Sequence, residues 1–137
     1  TNNLRKLADE LRQYPEENGI WKIDGQVSNS AGNLCLHLIG NLNHFIGAML
    51  GNTGYVRNRD AEFALKDIPR SELITHIEAT ILMIDTVLPA VSDEQLQEDF
   101  PLAWNNRIVK TELMLTHLSG HLAYHLGQVN YHRRLIG

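Results

Sequence analysis

The run HLSGHLAYHLGQ, residues 117–128, decides how this chain folds. Leu118, Leu122 and Leu126 fall four apart, and Leu115 and Val129 continue the row on either side. That is the 3.6-residue period of an amphipathic helix, which the pattern extends over residues 110–135. The same run holds three of the chain's seven histidines, His117, His121 and His125, again four apart. One helix therefore carries an apolar stripe and, beside it, a row of imidazoles.

Working outward, the same period recurs three more times. Residues 3–13 put Leu4, Leu7, Ala8 and Leu11 on one stripe, and Tyr14-Pro15 ends that helix. Residues 15–29 read as a connector in which Trp21 plugs the core. Ser30 is the expected N-cap of a second helix that runs to Gly51, with Leu34, Leu38, Leu42, Phe45 and Met49 as its stripe. A third helix begins near Ser71, ends before Pro89 and aligns Leu73, Ile77, Ile81, Ile84 and Leu88. Ser92 to Gln95 is a capping box for a short helical piece. Trp104 and Ile108 fall in a connection with room for a short extended stretch. The link at 51–70 is long for a compact domain, which favours a functional loop, with helix near 60–66. The expectation is all-α: one domain over residues 1–137, a four-helix bundle with long crossover connections.

Composition narrows the function classes. The formal net charge is -4, and the tightest basic cluster is Arg133-Arg134, so no nucleic-acid partner is expected. No apolar run reaches the ~18 residues of a membrane span, so no membrane partner is expected. A single cysteine, Cys35, cannot form an internal disulfide, which favours a reducing cytoplasm. There is no Ser-His-Asp, P-loop or dinucleotide signature.

The histidines carry the chemistry. His121 and His125, at i and i+4, project to one side of a helix and can grip one ion. Such a pair also fits a half-buried polar face satisfied by water and backbone. A third ligand would separate the two readings. The second helix offers His37 and His44, on one face with Asn41 between them and about 10 Å apart along the axis. One ion takes one of them, and spacing does not say which. His117 and His132 read as surface or supporting groups, His76 as solvated and Cys35 as a small core residue. Gln128 shares the face of His125 and can hydrogen-bond a ligand ring. In the 51–70 link, Arg57 and Arg59 offer forked donors for a substrate carboxylate or phosphate. Asp60 and Glu62 can pair with them or orient a ligand histidine. Arg59 and Asp60 are the residues expected at the pocket; an exposed, salt-bridged loop is the plainer reading.

"HLIGN" (37–41), "RNRDAEF" (57–63) and "HLAYHLGQ" (121–128), in this order, resemble the DinB/YfiT-like superfamily of small bacterial proteins, most closely its uncharacterised branch. The resemblance spans about residues 28–128. It implies a four-helix bundle, often dimeric, that binds a divalent metal, zinc or nickel, through three histidines. One ligand precedes the hydrophobic-Gly-Asn step, which lands on His37; the other two are His121 and His125. The activity implied is metal-dependent transfer of a low-molecular-weight thiol to an electrophile, or a hydrolase-like reaction, with a small-molecule substrate. A metal- or small-molecule-binding bundle without turnover is the alternative, and a purely structural polar seam is a third.

Overall fold

The computed structural model describes residues 1–137 and is all-α, with no strand and two isolated antiparallel bridges. Helix α1 spans Asn2–Arg12, and Leu4, Leu7, Ala8 and Leu11 are all buried, as the stripe requires. A 3-10 turn, Glu17–Trp21, follows. Trp21 closes the core by lying flat where Gly32 has no side chain; a Cβ there would come within 2.6 Å of the ring.

Helix α2, Ala31–Leu42, starts at Ser30, whose hydroxyl accepts from the Asn33 N–H at 3.1 Å. It continues through a π-helical segment, Asn43–Ala48, into α3, Met49–Gly51. A π turn takes up more residues than an α turn and rotates everything after it. For this reason Ile46 is buried, while the expected Phe45 and Met49 only flank the core. The Asn43 side chain steadies the segment, donating to Ile39 O at 2.8 Å and Thr80 Oγ1 at 2.9 Å. The left-handed stop is Asn52 (φ 49°) and not Gly51. Gly51 is still required, because the Val87 side chain fills the place of its Cβ.

Helix α4, Arg59–Ala64, is capped by Asn58 and lies inside the long link. Helix α5 covers Arg70–Val87 and ends in a 3-10 turn, Leu88–Ala90. Leu73, Ile77 and Ile84 are buried as expected, and Thr80 joins them. Helix α6, Asp93–Gln97, has the expected capping box from Ser92 and Gln95. Residues 99–110 form a narrow antiparallel arm with a tight turn at Asn105-Asn106, both left-handed. Helix α7, Thr111–Leu135, buries Met114, Leu118, Leu122 and Val129.

The bundle packs α1 against α5 and α7, and α2 against the same two, so α1 and α2 sit diagonally. Consecutive long helices cross the bundle from α1 to α2 and from α5 to α7, which is why those links are long. A half-buried pair locks α1 to α7: Arg133 Nε donates to Glu10 Oε2 at 2.6 Å, and Asn130 Nδ2 to Glu10 Oε1 at 2.7 Å.

By length and mean hydropathy two helical stretches pass as membrane spans, Ala31–Gly51 at 1.2 and Arg70–Ala90 at 1.4, although the sequence reading found no such run. The first is the central helix of the bundle, whose apolar face is used for packing. The second carries Glu72, His76, Glu78 and Asp85 on its exposed face.

Candidate metal centre

Helices α2 and α7 run antiparallel, and their facing turns bring three imidazoles together. His37 Nε2 lies 3.2 Å from His121 Nε2, which in turn lies 3.1 Å from His125 Nε2. The ligating nitrogens of all three fall within 4.8 Å of one another. Tetrahedral zinc with Zn–N bonds of about 2.05 Å would separate its nitrogens by about 3.3 Å. The observed spacings are close to that value. These three side chains can hold a metal ion.

The outer nitrogens show how two rings are aimed. His37 Nδ1 is 3.0 Å from Glu62 Oε1, and His125 Nδ1 is 2.7 Å from Gln128 Oε1. An oxygen acceptor at Nδ1 keeps the proton there and leaves the Nε2 lone pair free for a metal. Arg57 grips the same carboxylate, Nε to Oε2 at 2.8 Å and Nη2 to Oε1 at 3.0 Å. Its 3.3 Å approach to His37 Nδ1 is then a contact between two donors and not a bond.

Charge follows from this geometry. Burial alone would raise the Glu62 carboxyl, but hydrogen bonds from His37 and Arg57, with Arg57's charge, hold it below its usual range. Burial, and then the neighbouring His125 and His37, push His121 down to about 4. Burial also lowers His125, opposed by its bond to Gln128 and aided by the neighbouring His37. His121 is therefore neutral near pH 7, which is the form that ligates.

The carboxylate arrives from a distant element, and α2 itself anchors that element. Asn33 lies one turn before His37 and is 1% exposed. Its Nδ2 donates to Glu62 O and Leu65 O, both at 2.9 Å, which fastens the end of α4 onto α2. Lys66 Nζ closes the clamp on Asn33 Oδ1 at 2.9 Å. Gly40 makes room: a Cβ there would overlap the Glu62 carboxylate.

The other candidates separate cleanly. His44 sits on the π segment with its ring against Phe45 at 4.8 Å and is outside the cluster. His117 stacks on Trp104 at 4.1 Å, so the narrow arm rests on the turn before His121. His76 is exposed near Glu72. His132, expected at the surface or in support of the site, is buried in the core. It accepts from the Tyr14 hydroxyl at Nδ1 (2.6 Å) and donates from Nε2 to Lys22 O (2.8 Å). Cys35 is buried, as expected of a core residue, and burial raises its thiol to about 12.

Of the residues expected around the metal, Gln128 touches a ligand ring and Asn41 is buried one turn beyond His37. Arg59 and Asp60 are exposed and make no contact with the histidines. The reason is local: Asn58 caps α4, so Arg59 and Asp60 form its first, outward turn, whereas Arg57 precedes the cap and Glu62 faces α2. Arg57 is committed to Glu62 and is not free for a substrate anion. Sequence reasoning missed Asn33 altogether; its signal was a polar residue three after the Ser30 cap, on the buried side of an apolar helix. Beside His125 and Gln128, a groove of about 580 Å³ opens between residues 26–29 and α7, lined in part by Leu34, Tyr124 and Tyr131.

The profile of a family described as "Protein of unknown function (DUF1572)" matches residues 1–137, and the chain belongs to that family. No curated protein and no solved structure matches it.

Proposed function

We propose that this member of the DUF1572 family is a divalent-metal-dependent enzyme of the DinB/YfiT-like kind. Its reaction would transfer a low-molecular-weight thiol to an electrophile or follow a related hydrolase-like course. The observation that carries the reading is the convergence of His37, His121 and His125 through Nε2, with an oxygen behind two of the three rings. Metal-ligating histidines almost always donate their other ring N–H to an oxygen, and two of these three do. A divalent ion on three protein nitrogens keeps a position for water or a thiolate and acidifies what binds there. Zinc and nickel both suit imidazole donors.

The chain's own residues would do the rest. Glu62 and Gln128 hold two ligand rings, Arg57 holds Glu62, and α4 covers His37. The groove beside His125 would receive a small molecule. A cytoplasmic homodimer acting on a small molecule, without nucleic acid or membrane, completes the proposal.

One observation favours the rival reading, a binding bundle without turnover. The charged groups nearest the cluster, Arg57 and Glu62, are spent on each other, and none is left free as an acid or base. Metal content by mass spectrometry on untagged protein tests the shared premise. Equal metal in wild type and in the double variant His121→Ala/His125→Ala would end both readings. A panel of thiols and electrophiles then divides them: metal-dependent turnover supports the enzyme, and saturable binding without turnover supports the module.

A further inference from the structure

Two of the three rings have an acceptor for the Nδ1 proton, and the third does not. His121 Nδ1 is buried and makes no hydrogen bond. Four buried side-chain atoms lack a partner: Trp21 Nε1, Arg70 Nε, His121 Nδ1 and Asn41 Oδ1. Trp21 Nε1 and Arg70 Nε are donors, His121 Nδ1 is a donor once a metal takes the Nε2 lone pair, and Asn41 Oδ1 is the one obligate acceptor among them. Trp21 lies against Gly32 near the start of α2, and Arg70 reaches the carbonyls of Arg12 and Tyr14. Neither is near Asn41.

His121 is. Asn41 follows His37 by one turn on the same face of α2. Leu34 shares a groove with Gln128 and His132, while His37 meets His121 and His125. Moving forward along α2 therefore moves backward along α7, and the turn holding Asn41 faces the stretch from His121 toward His117. An unpaired donor and an unpaired acceptor, both buried, occur on facing turns of the same seam. Native interiors rarely leave such a pair unmade.

We infer that Asn41 is the positioning residue for His121: its Oδ1 accepts the His121 Nδ1 proton through one water. Each ring then has its own oxygen, Glu62 for His37, Asn41 for His121 and Gln128 for His125. Both the Nδ1 tautomer of His121 and the effect on metal affinity rest on the metal reading proposed above, because a metal on Nε2 is what leaves the ring's one proton on Nδ1.

Long-range proton–nitrogen NMR on uniformly ¹⁵N-labelled full-length protein, metal-free and zinc-loaded, tests this with Asn41→Leu and Asn41→Asp. In zinc-loaded wild type His121 should carry its proton on Nδ1 and exchange it slowly; metal-free, that proton should sit on Nε2 and be shared with His37 or His125 across the 3.1–3.2 Å contacts. Asn41→Leu should lose that protected signal and bind zinc roughly 10- to 100-fold more weakly. Asn41→Asp, which keeps an oxygen acceptor, should retain the signal. An unchanged His121 Nδ1 proton in Asn41→Leu overturns the inference whatever the affinity does, and so does its loss in both variants. If wild type binds no zinc, the metal reading and this inference fall together; if it binds zinc and His121 shows no Nδ1 proton, the inference alone falls.

Discussion

The Glu62 carboxylate occupies the space in which a side chain on Gly40 would begin. The two residues lie on different helices, yet the absence of one side chain is what lets the other reach His37. Gly40→Ala forces Glu62 outward. The variant should lose about 1–3 kcal/mol of stability, as overpacked sites do. Zinc affinity should fall with it, because His37 loses its acceptor. Urea unfolding and zinc titration check the two effects; a fully stable variant with native affinity would show that Glu62 moves at no cost.

Glu62→Gln keeps the shape and removes the charge. Its amide can still accept from His37, but its NH₂ then faces the Arg57 guanidinium. Both side chains are largely buried, so breaking the pair should cost about 3 kcal/mol. Adding Arg57→Leu should recover part of that loss, since the uncompensated cation goes with it. A double-mutant cycle by chemical denaturation measures the coupling. Strict additivity would mean that the pair does not act as a unit.

Metal should stabilise the fold. At a free zinc concentration 100-fold above Kd, a folded-state ligand adds about 2.7 kcal/mol. That amounts to several degrees in Tm for a domain of this size. The shift should vanish with a chelator and in His121→Ala/His125→Ala. It should survive in His44→Ala and His76→Ala, because neither ring belongs to the cluster. A shift lost equally in all these variants would point to nonspecific binding.

His132 is a structural histidine, and Tyr14→Phe separates it from the site. Burial raises the Tyr14 phenol, so its hydroxyl stays protonated and donates to His132 Nδ1. Removing it leaves a buried acceptor unpaired, at about 1–3 kcal/mol. Thermal unfolding should register the loss while zinc affinity stays within twofold of wild type. A large affinity change would connect this end of α7 to the metal cluster.

Acid should weaken the α1–α7 junction. Burial would raise the Glu10 carboxyl, but hydrogen bonds from Arg133 and Asn130 outweigh it and set the folded value below 4.5. A carboxyl lowered on folding contributes stability that is fully present above its unfolded value. That contribution is lost as pH falls through the folded value. Glu10→Gln should therefore be less stable than wild type near neutrality, and the gap should close below pH 4.5. Urea midpoints measured across this range give the answer; a constant gap would remove Glu10 from the account.

Much of this was legible in the residues because helices are local. The stripes of α1, α5 and α7 follow from a period fixed by backbone geometry, and so does the side-by-side placement of His121 and His125. The capping box at Ser92 and Gln95 is legible for the same reason. The pattern failed on α2 after Leu42, where the π segment turns Ile46 inward in place of Phe45. Periodicity assumes a constant turn angle, and nothing in NHFIGA declares a change of angle. Arg59 and Asp60 were expected at the pocket in preference to Arg57 and Glu62, since a loop sequence does not say where its cap falls.

By itself the sequence determined the helices, most of their buried faces, and half of a candidate metal site on one of them. The tertiary structure brings His37 and not His44 to that pair, a choice only the family resemblance had made beforehand, sets the Glu62 carboxylate behind it and clamps α4 through Asn33. The division has a physical cause. Contacts within a helix depend on residues three and four apart, which the sequence displays directly. The third histidine and its carboxylate depend on how α2, α4 and α7 pack. That packing is settled by the volumes at Gly40 and Gly32 and by which buried polar groups find partners, and it exists only once the bundle has formed.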